Sequence, residues 1–106
     1  MTQTMVFHHV ALQVGHINEG IEWYTSNMDA TCLYQDETWA LIDIGGTKIA
    51  LVLPDQHPPH IAFECDHAEQ FGSLKGHRDG TSSTYIRDPF GNTLELLKTP
   101  REERRQ

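Results

Sequence analysis

The 106-residue chain has no apolar run approaching the ~18 residues that a membrane-spanning helix needs. Residues 1–9 hold neither a basic stretch nor a long apolar one, so no secretory signal is expected there. Cysteine is scarce. Cys32 and Cys65 form no CxxC pair, and in a chain without a signal they are expected to be reduced, buried thiols. That points to the cytoplasm. Basic residues are scarce as well: 8 Lys and Arg face 15 Asp and Glu, for a net charge of -7. An acidic chain lacks the cationic footprint that nucleic acid requires, and it is repelled by an anionic membrane surface. What remains is an ordinary globular composition at a length that suits one domain.

Hydrophobic periodicity lays out the elements. Residues 6–14 alternate as a strand, with His9, Ala11 and Gln13 on one face and Val10, Leu12 and Val14 on the other. Asn18 is placed to cap a helix, and Glu19 and Glu22 favour its positive end. Ile17, Ile21, Tyr24 and Met28 form its apolar stripe, and the helix is expected to end at residues 27–29. A short β-rich run at 31–34, a turn at 35–37, a strand at 39–44, the Gly45-Gly46 turn and a strand at 47–53 follow. Residues 54–59, rich in proline, read as a linker.

The pattern then restarts. His60-Ile-Ala-Phe-Glu-Cys echoes His9-Val-Ala-Leu-Gln-Val. Asp66 is a candidate cap for a helix at about 67–75, with Phe71 and Leu74 as its apolar contacts. A polar loop at 76–82, a strand at 83–87, a turn at 88–92, a strand at 93–98 and a charged, frayed tail at 99–106 complete the second copy. No counterpart of residues 31–34 is visible in it. The internal repeat, of period about fifty residues, gives strand, helix and strands twice. This predicts an α+β domain: module one at about 6–53, a linker at 54–59 and module two at about 60–98. The two sheets would sit edge to edge and curl. Helices would cover the apolar outer face, and the polar face would line a cavity.

Seven histidines is a high count for this length. His9 and His60 open equivalent strands of the repeat, on the face expected to be polar. Glu95 lies on the closing strand, between Leu94 and Leu96, which face the other way. Two imidazoles and one carboxylate from three strands match the facial triad that holds Fe(II) with open positions; Mn, Zn or Ni accept the same donors. His8 adjoins His9 but points to the opposite face. Register decides between them, and the His60-Ile-Ala parallel favours His9. Glu64 shares the face of His60 and reads as a rim residue, an acceptor for an imidazole or an extra ligand. His16, His57 and His67 read as solvated. Trp23, Trp39, Phe63 and Phe90 read as core or cavity wall. Asp88 and Asn92 read as residues that fix the last turn.

The segments His9-Val-Ala-Leu, Ile21-Glu22-Trp23-Tyr24, His60-Ile-Ala-Phe and Tyr85-Ile-Arg-Asp88-Pro89-Phe90-Gly91-Asn92-Thr-Leu-Glu95-Leu together resemble the vicinal oxygen chelate superfamily. That superfamily includes glyoxalase I, fosfomycin and bleomycin resistance proteins and extradiol dioxygenases. The resemblance covers residues 6–98. It implies paired βαβββ modules in a cup of curved mixed sheet and one divalent metal in the cavity. It also implies a small substrate with neighbouring oxygens, and a homodimer. His9, His60 and Glu95 match three of the family's four ligand positions. The fourth matches Ala50, which cannot ligate and so departs from the glyoxalase pattern. In the extradiol enzymes a Tyr ten residues before the acid lies beside the bound diol, and an earlier His acts as acid–base. Tyr85 and His77 match these two, His77 falling eight residues before Tyr85. From the residues alone, Tyr85 reads equally as packing and His77 as a loop residue.

Three functions compete. The preferred one is a metal-dependent, extradiol-type dioxygenase. The second is a non-catalytic binding protein like the drug-sequestering resistance proteins, which typically lack the metal ligands. The third is a glyoxalase- or fosfomycin-type lyase or transferase. The fosfomycin type needs cations, for which Lys48, Lys75, Arg78 and Arg87 are the few candidates.

Overall fold

The computed structural model describes residues 5–77 and 80–99. Among them, eight strands and one α-helix make the α+β, mixed-sheet architecture that the repeat predicts. The described residues fall into two compact units, one running from His9 to His60 and one built from the residues before and after.

In the central unit, β1 (Val6–Gln13) leads to α1 (Ile17–Asn27), and β2 (Ala30–Gln35), β3 (Trp39–Ile44) and β4 (Thr47–Val52) follow. β2 and β4 run antiparallel to β3, and β1 joins β4 in parallel, with Ala11 opposite Ala50. Gly45 and Gly46 carry φ of 59° and 93°, the left-handed pair that a two-residue hairpin matched to strand twist demands. One face of this sheet is sealed under α1 by Ile17, Ala40, Ile42 and Leu51, with Leu12, Ile21 and Tyr24 packed against them. The opposite face was expected to be polar. It holds instead a second apolar cluster of Ala11, Ala50 and Val52 with Trp39 and Leu41.

Two details of α1 differ from expectation. The capping position falls on His16, in extended conformation and without a side-chain cap. Asn18 is spent elsewhere, its Oδ1 accepting from Gln35 Nε2 at 3.0 Å. Met28 follows the last turn and stays exposed, so the apolar stripe stops at Tyr24.

In the flanking unit, β5 (His60–Glu64) precedes a single 3-10 turn at Ala68–Gln70, where the sequence predicted a longer helix. Asp66 caps nothing there; its carboxylate faces His67 Nδ1 at 3.5 Å. Phe71 stays largely exposed, and a side chain at Gly72 would come within 2.5 Å of Thr84 Oγ1. The chain then leaves the helical path and forms β6 (Lys75–Gly76), which pairs with β7 (Ser82–Arg87). This short strand is the counterpart of β2 that sequence patterning left unseen. β7 and β8 (Thr93–Lys98) form a hairpin in which Tyr85 lies opposite Glu95. Cys65, Ala68 and Leu96 form its core, with Phe63, Leu74 and Ile86 against them. Thr99 was read as part of a frayed tail. It is buried, and its hydroxyl donates to Glu64 Oε2 at 2.7 Å. The rest of that tail, 100–106, lies outside the described residues.

Cys32 and Cys65 are free thiols; Cys65 is buried as expected, whereas Cys32 is only half-buried. No helix among the described residues is long and apolar enough to cross a membrane.

Asp36 organises the tight connection between β2 and β3. Its Oδ1 accepts from the amides of Thr38 and Trp39 at 2.8 and 3.0 Å, and its Oδ2 accepts from Tyr34 at 2.7 Å. Burial alone would raise this carboxyl, but those donors outweigh it and hold it at about 2, from an ordinary 3.8. A depressed carboxyl contributes stability above the unfolded value, and that contribution is lost as pH falls through the folded value. Asp36→Ala should therefore cost about 1–2 kcal/mol at neutral pH. The deficit relative to wild type should shrink between about pH 4 and pH 2. Urea unfolding across pH checks this; a deficit that does not change with pH would show that the carboxylate charge is irrelevant.

Candidate functional site

The central unit supplies two imidazoles. His9 lies on β1 and His60 opens β5, at 9% and 6% exposure. Their ring centroids stand 5.7 Å apart, edge to face at 71°. Of the two neighbours, His9 is buried and His8 half-buried, and it is the His9 ring that stands against His60. His60 Nδ1 lies 2.8 Å from the carbonyl oxygen of Pro58, close enough to donate to it. With Nδ1 turned to that carbonyl, Nε2 is the nitrogen left to face a metal. His57 was expected in solvent but is half-buried, its ring 6.2 Å from that of His60. Its own carbonyl accepts from Gln13 Nε2 at 3.1 Å, tying the proline-rich linker down beside β1. Ala50, at the fourth ligand position implied by the resemblance, packs with Ala11 and Val52 and offers no donor.

The flanking unit supplies the carboxylate. Glu95 on β8 is 5% exposed. Ser83, at 1% exposure, donates from Oγ to Glu95 Oε2 at 2.7 Å. His77 Nε2 lies 2.7 Å from the same Ser83 Oγ and 3.6 Å from Glu95 Oε2. Because the serine proton goes to the carboxylate, the ring must be the donor to Ser83. His77 is held on the hairpin by its backbone, its amide donating to Thr81 and its carbonyl accepting from Gly80. Tyr85, directly opposite Glu95, is hydrogen-bonded to the same carboxylate. Burial, and then the charge and hydrogen bond of Glu95, push the Tyr85 hydroxyl well above its ordinary value. It is therefore a proton-bearing group throughout the neutral range.

Ser83 was not singled out from sequence, although the signal existed. Strand alternation puts Ser83, Tyr85 and Arg87 on one face, and the turn at 88–92 sets the register opposite Glu95. That turn is built as expected. Asp88 Oδ1 accepts from the amides of Phe90 and Asn92, Asn92 Nδ2 donates to Asp88 Oδ2, and Gly91 takes φ 89°. The Asn92 side chain and amide hold the Asp88 carboxyl below the usual carboxylate range. Other sequence expectations fail for plain reasons. Trp23 and Phe90 are 55% and 88% exposed, so they wall no cavity within either unit. Glu64 is occupied by Thr99. His67 is half-buried rather than solvated, with Nδ1 3.3 Å from Cys65 Sγ.

The residues fit a divalent ion. The imidazoles are buried and one turns Nδ1 to a carbonyl, leaving Nε2 to face a metal, while the buried carboxylate is restrained by hydroxyls.

The sequence profile of the Glyoxalase/Bleomycin resistance protein/Dioxygenase superfamily matches residues 6–77. No curated protein matches the chain. Among solved structures, a hypothetical protein of Bacillus halodurans C-125 superposes with a TM-score of 0.69 at 15% identity, covering 93% of this chain and 96% of that one. It establishes likeness of fold alone. A glyoxalase/bleomycin resistance protein/dioxygenase of Alicyclobacillus acidocaldarius has 16% identity, coverage of 91% and 92%, and a TM-score of 0.43. A lactoylglutathione lyase of Agrobacterium tumefaciens has 17% identity, coverage of 83% and 89%, and a TM-score of 0.39.

Tyr85→Phe removes one hydroxyl from the Glu95 carboxylate and should destabilise the metal-free protein by about 1 kcal/mol in urea unfolding. An unchanged midpoint would mean that this hydrogen bond does not help hold Glu95.

Proposed function

Since the chain belongs to the Glyoxalase/Bleomycin resistance protein/Dioxygenase superfamily, we propose that it is a divalent-metal enzyme acting on small molecules with neighbouring oxygens, most like an extradiol-type dioxygenase. In this reading the chain is a single vicinal oxygen chelate domain, and His9, His60 and Glu95 are the ligands of one ion. The donor set carries the proposal: these three buried side chains have the chemistry to hold one metal. Two neutral nitrogens and one carboxylate suit Fe(II) best in a site with open positions, while Mn, Zn and Ni are accepted by the same donors. A bound ion would gather two adjacent oxygens of the substrate and polarise them.

The chain's own residues support the same reading. Tyr85 keeps its proton and gives it to Glu95, so it would donate to an ionised substrate oxygen only by turning from that carboxylate. His77 is the candidate for the acid–base step; its Nε2 is engaged by Ser83, so any proton it moves passes through that contact. The apolar cluster of Ala11, Ala50, Val52, Trp39 and Leu41, on the face that carries His9, suits a ring-like substrate body.

The alternatives are each weaker on a named residue. A glyoxalase-type lyase uses a fourth donor where this chain has Ala50. A drug-sequestering protein has no need of a buried two-histidine, one-glutamate set. A transferase acting on an anionic substrate would rely on Lys48, Lys75 and Arg87, all exposed; Arg78 lies outside the described residues. The proposal places the enzyme in the cytoplasm as a homodimer, which sedimentation of the purified protein would test.

The decisive measurement is elemental analysis after anaerobic purification, beside affinity for added Fe(II). His9→Ala, His60→Ala and Glu95→Ala should each weaken binding by more than ~100-fold, beyond the effect typical of an outer-shell change. His8→Ala should bind as wild type does. A wild-type protein that ignores Fe(II), Mn, Zn and Ni would refute the metal reading. Oxygen uptake with catechol-like compounds then tests the dioxygenase class.

A further inference from the structure

The hydrogen bonds around Glu95 form a directed chain, from His77 Nε2 to Ser83 Oγ and from Ser83 Oγ to Glu95 Oε2, both at 2.7 Å. Ser83 is 1% exposed. It has one proton to give, and the carboxylate takes it. We propose that Ser83 is a positioning residue that makes Glu95 a one-oxygen metal ligand, with His77 holding the serine hydroxyl in the orientation required. The inference rests on the metal reading given above.

The physical argument concerns the two carboxylate oxygens. A free glutamate can offer both to a cation and can also turn about its last torsion, which is broad and roughly two-fold. A hydroxyl proton at 2.7 Å on Oε2 withdraws electron density from that oxygen and fixes the plane of the group. Oε1 becomes the better donor. The serine cannot turn away, because its own oxygen is held by His77. His77 in turn sits on a hairpin closed by backbone bonds to Thr81 and Gly80. The coordination positions that a two-oxygen glutamate would fill are left for substrate. Tyr85 adds another hydroxyl to the carboxylate, but it is more than a third exposed, whereas Ser83 is buried.

This separates Ser83 from an ordinary buried serine. Removing a merely structural hydroxyl would lower stability and leave coordination unchanged. Removing a positioning hydroxyl alters how the metal is held.

The test uses Co(II) added to the metal-free wild-type, Ser83→Ala, Ser83→Thr, His77→Ala and Glu95→Ala proteins. It reads both affinity and the visible absorption of the bound ion, whose intensity falls as coordination number rises. Ser83→Ala should bind Co(II) about 10–100-fold more weakly, the range for loss of an outer-shell partner. Its absorption should be weaker per bound ion, as Glu95 gains its second oxygen. Ser83→Thr keeps the hydroxyl and should restore both readings. His77→Ala should fall between wild type and Ser83→Ala. If Ser83→Ala fails to fold, Ser83→Thr and His77→Ala carry the decision, and a His77→Ala protein matching wild type in both readings overturns the proposal. So does a folded Ser83→Ala protein that matches wild type while Glu95→Ala loses the ion. If Glu95→Ala binds Co(II) as wild type does, the metal reading itself fails and this inference falls with it.

Discussion

An ionised carboxylate buried in a β-sheet is the constraint on which the site depends. Moving such a group out of water costs several kcal/mol even after a protein relaxes around it, so its surroundings must return most of that energy. Around Glu95 they do so with oriented protons: the Ser83 hydroxyl, the Tyr85 hydroxyl and, one bond further out, the His77 ring. Protons on neutral groups offset part of the cost. A group prepared in this way is suited to a cation. The tyrosine records the same balance from the other side, since burial and the neighbouring negative charge make its own ionisation unfavourable.

Strand geometry turns this constraint into a defined arrangement. Alternation along β7 sets Ser83 and Tyr85 on one face and leaves Thr84 and Ile86 for the other, where Ile86 packs against the core of the flanking unit. The Asp88–Asn92 turn fixes the register, and a slip of one residue would exchange the two faces. In the central unit the same rule places His9 two residues from Ala11, so an imidazole shares its face with small apolar side chains. Rigid elements thus aim each donor, and loops contribute mainly through the Pro58 carbonyl that orients the ring of His60.

Much of this was legible before any coordinates. The two histidines stand at the same point of a repeat, and the glutamate stands between two leucines. The repeat and the resemblance, more than alternation, set them apart from the other histidines. The strands and the paired glycines of the first hairpin followed from period and from turn chemistry. What escaped the sequence was set by tertiary contacts. Where a longer helix was expected after Asp66, the backbone at Gly72 passes against Thr84, a contact between residues twelve apart that no local pattern announces. Lys75 and Gly76 carry no β-propensity, and they are strand only because β7 offers a partner edge. Thr99 looked like the start of a tail until its hydroxyl met Glu64. Ser83 is a small polar residue in a strand, and its importance lies in a cross-strand diagonal rather than in its neighbours.

Ala50 is the residue that narrows the chemistry. It lies opposite Ala11 on the paired parallel strand and packs into a cluster with Val52, Trp39 and Leu41. A carboxylate or amide in its place would put a polar group into an apolar patch, at a cost that only a fourth metal bond would offset. With alanine there, the position packs with Ala11 and Val52 and offers no ligand atom. In the flanking unit, Tyr85 holds its proton firmly and His77 reaches the Glu95 carboxylate through Ser83. On the proposed reading, three protein donors without a fourth would leave positions open on a bound ion, which would suit chemistry in which substrate oxygens and a second reactant both bind.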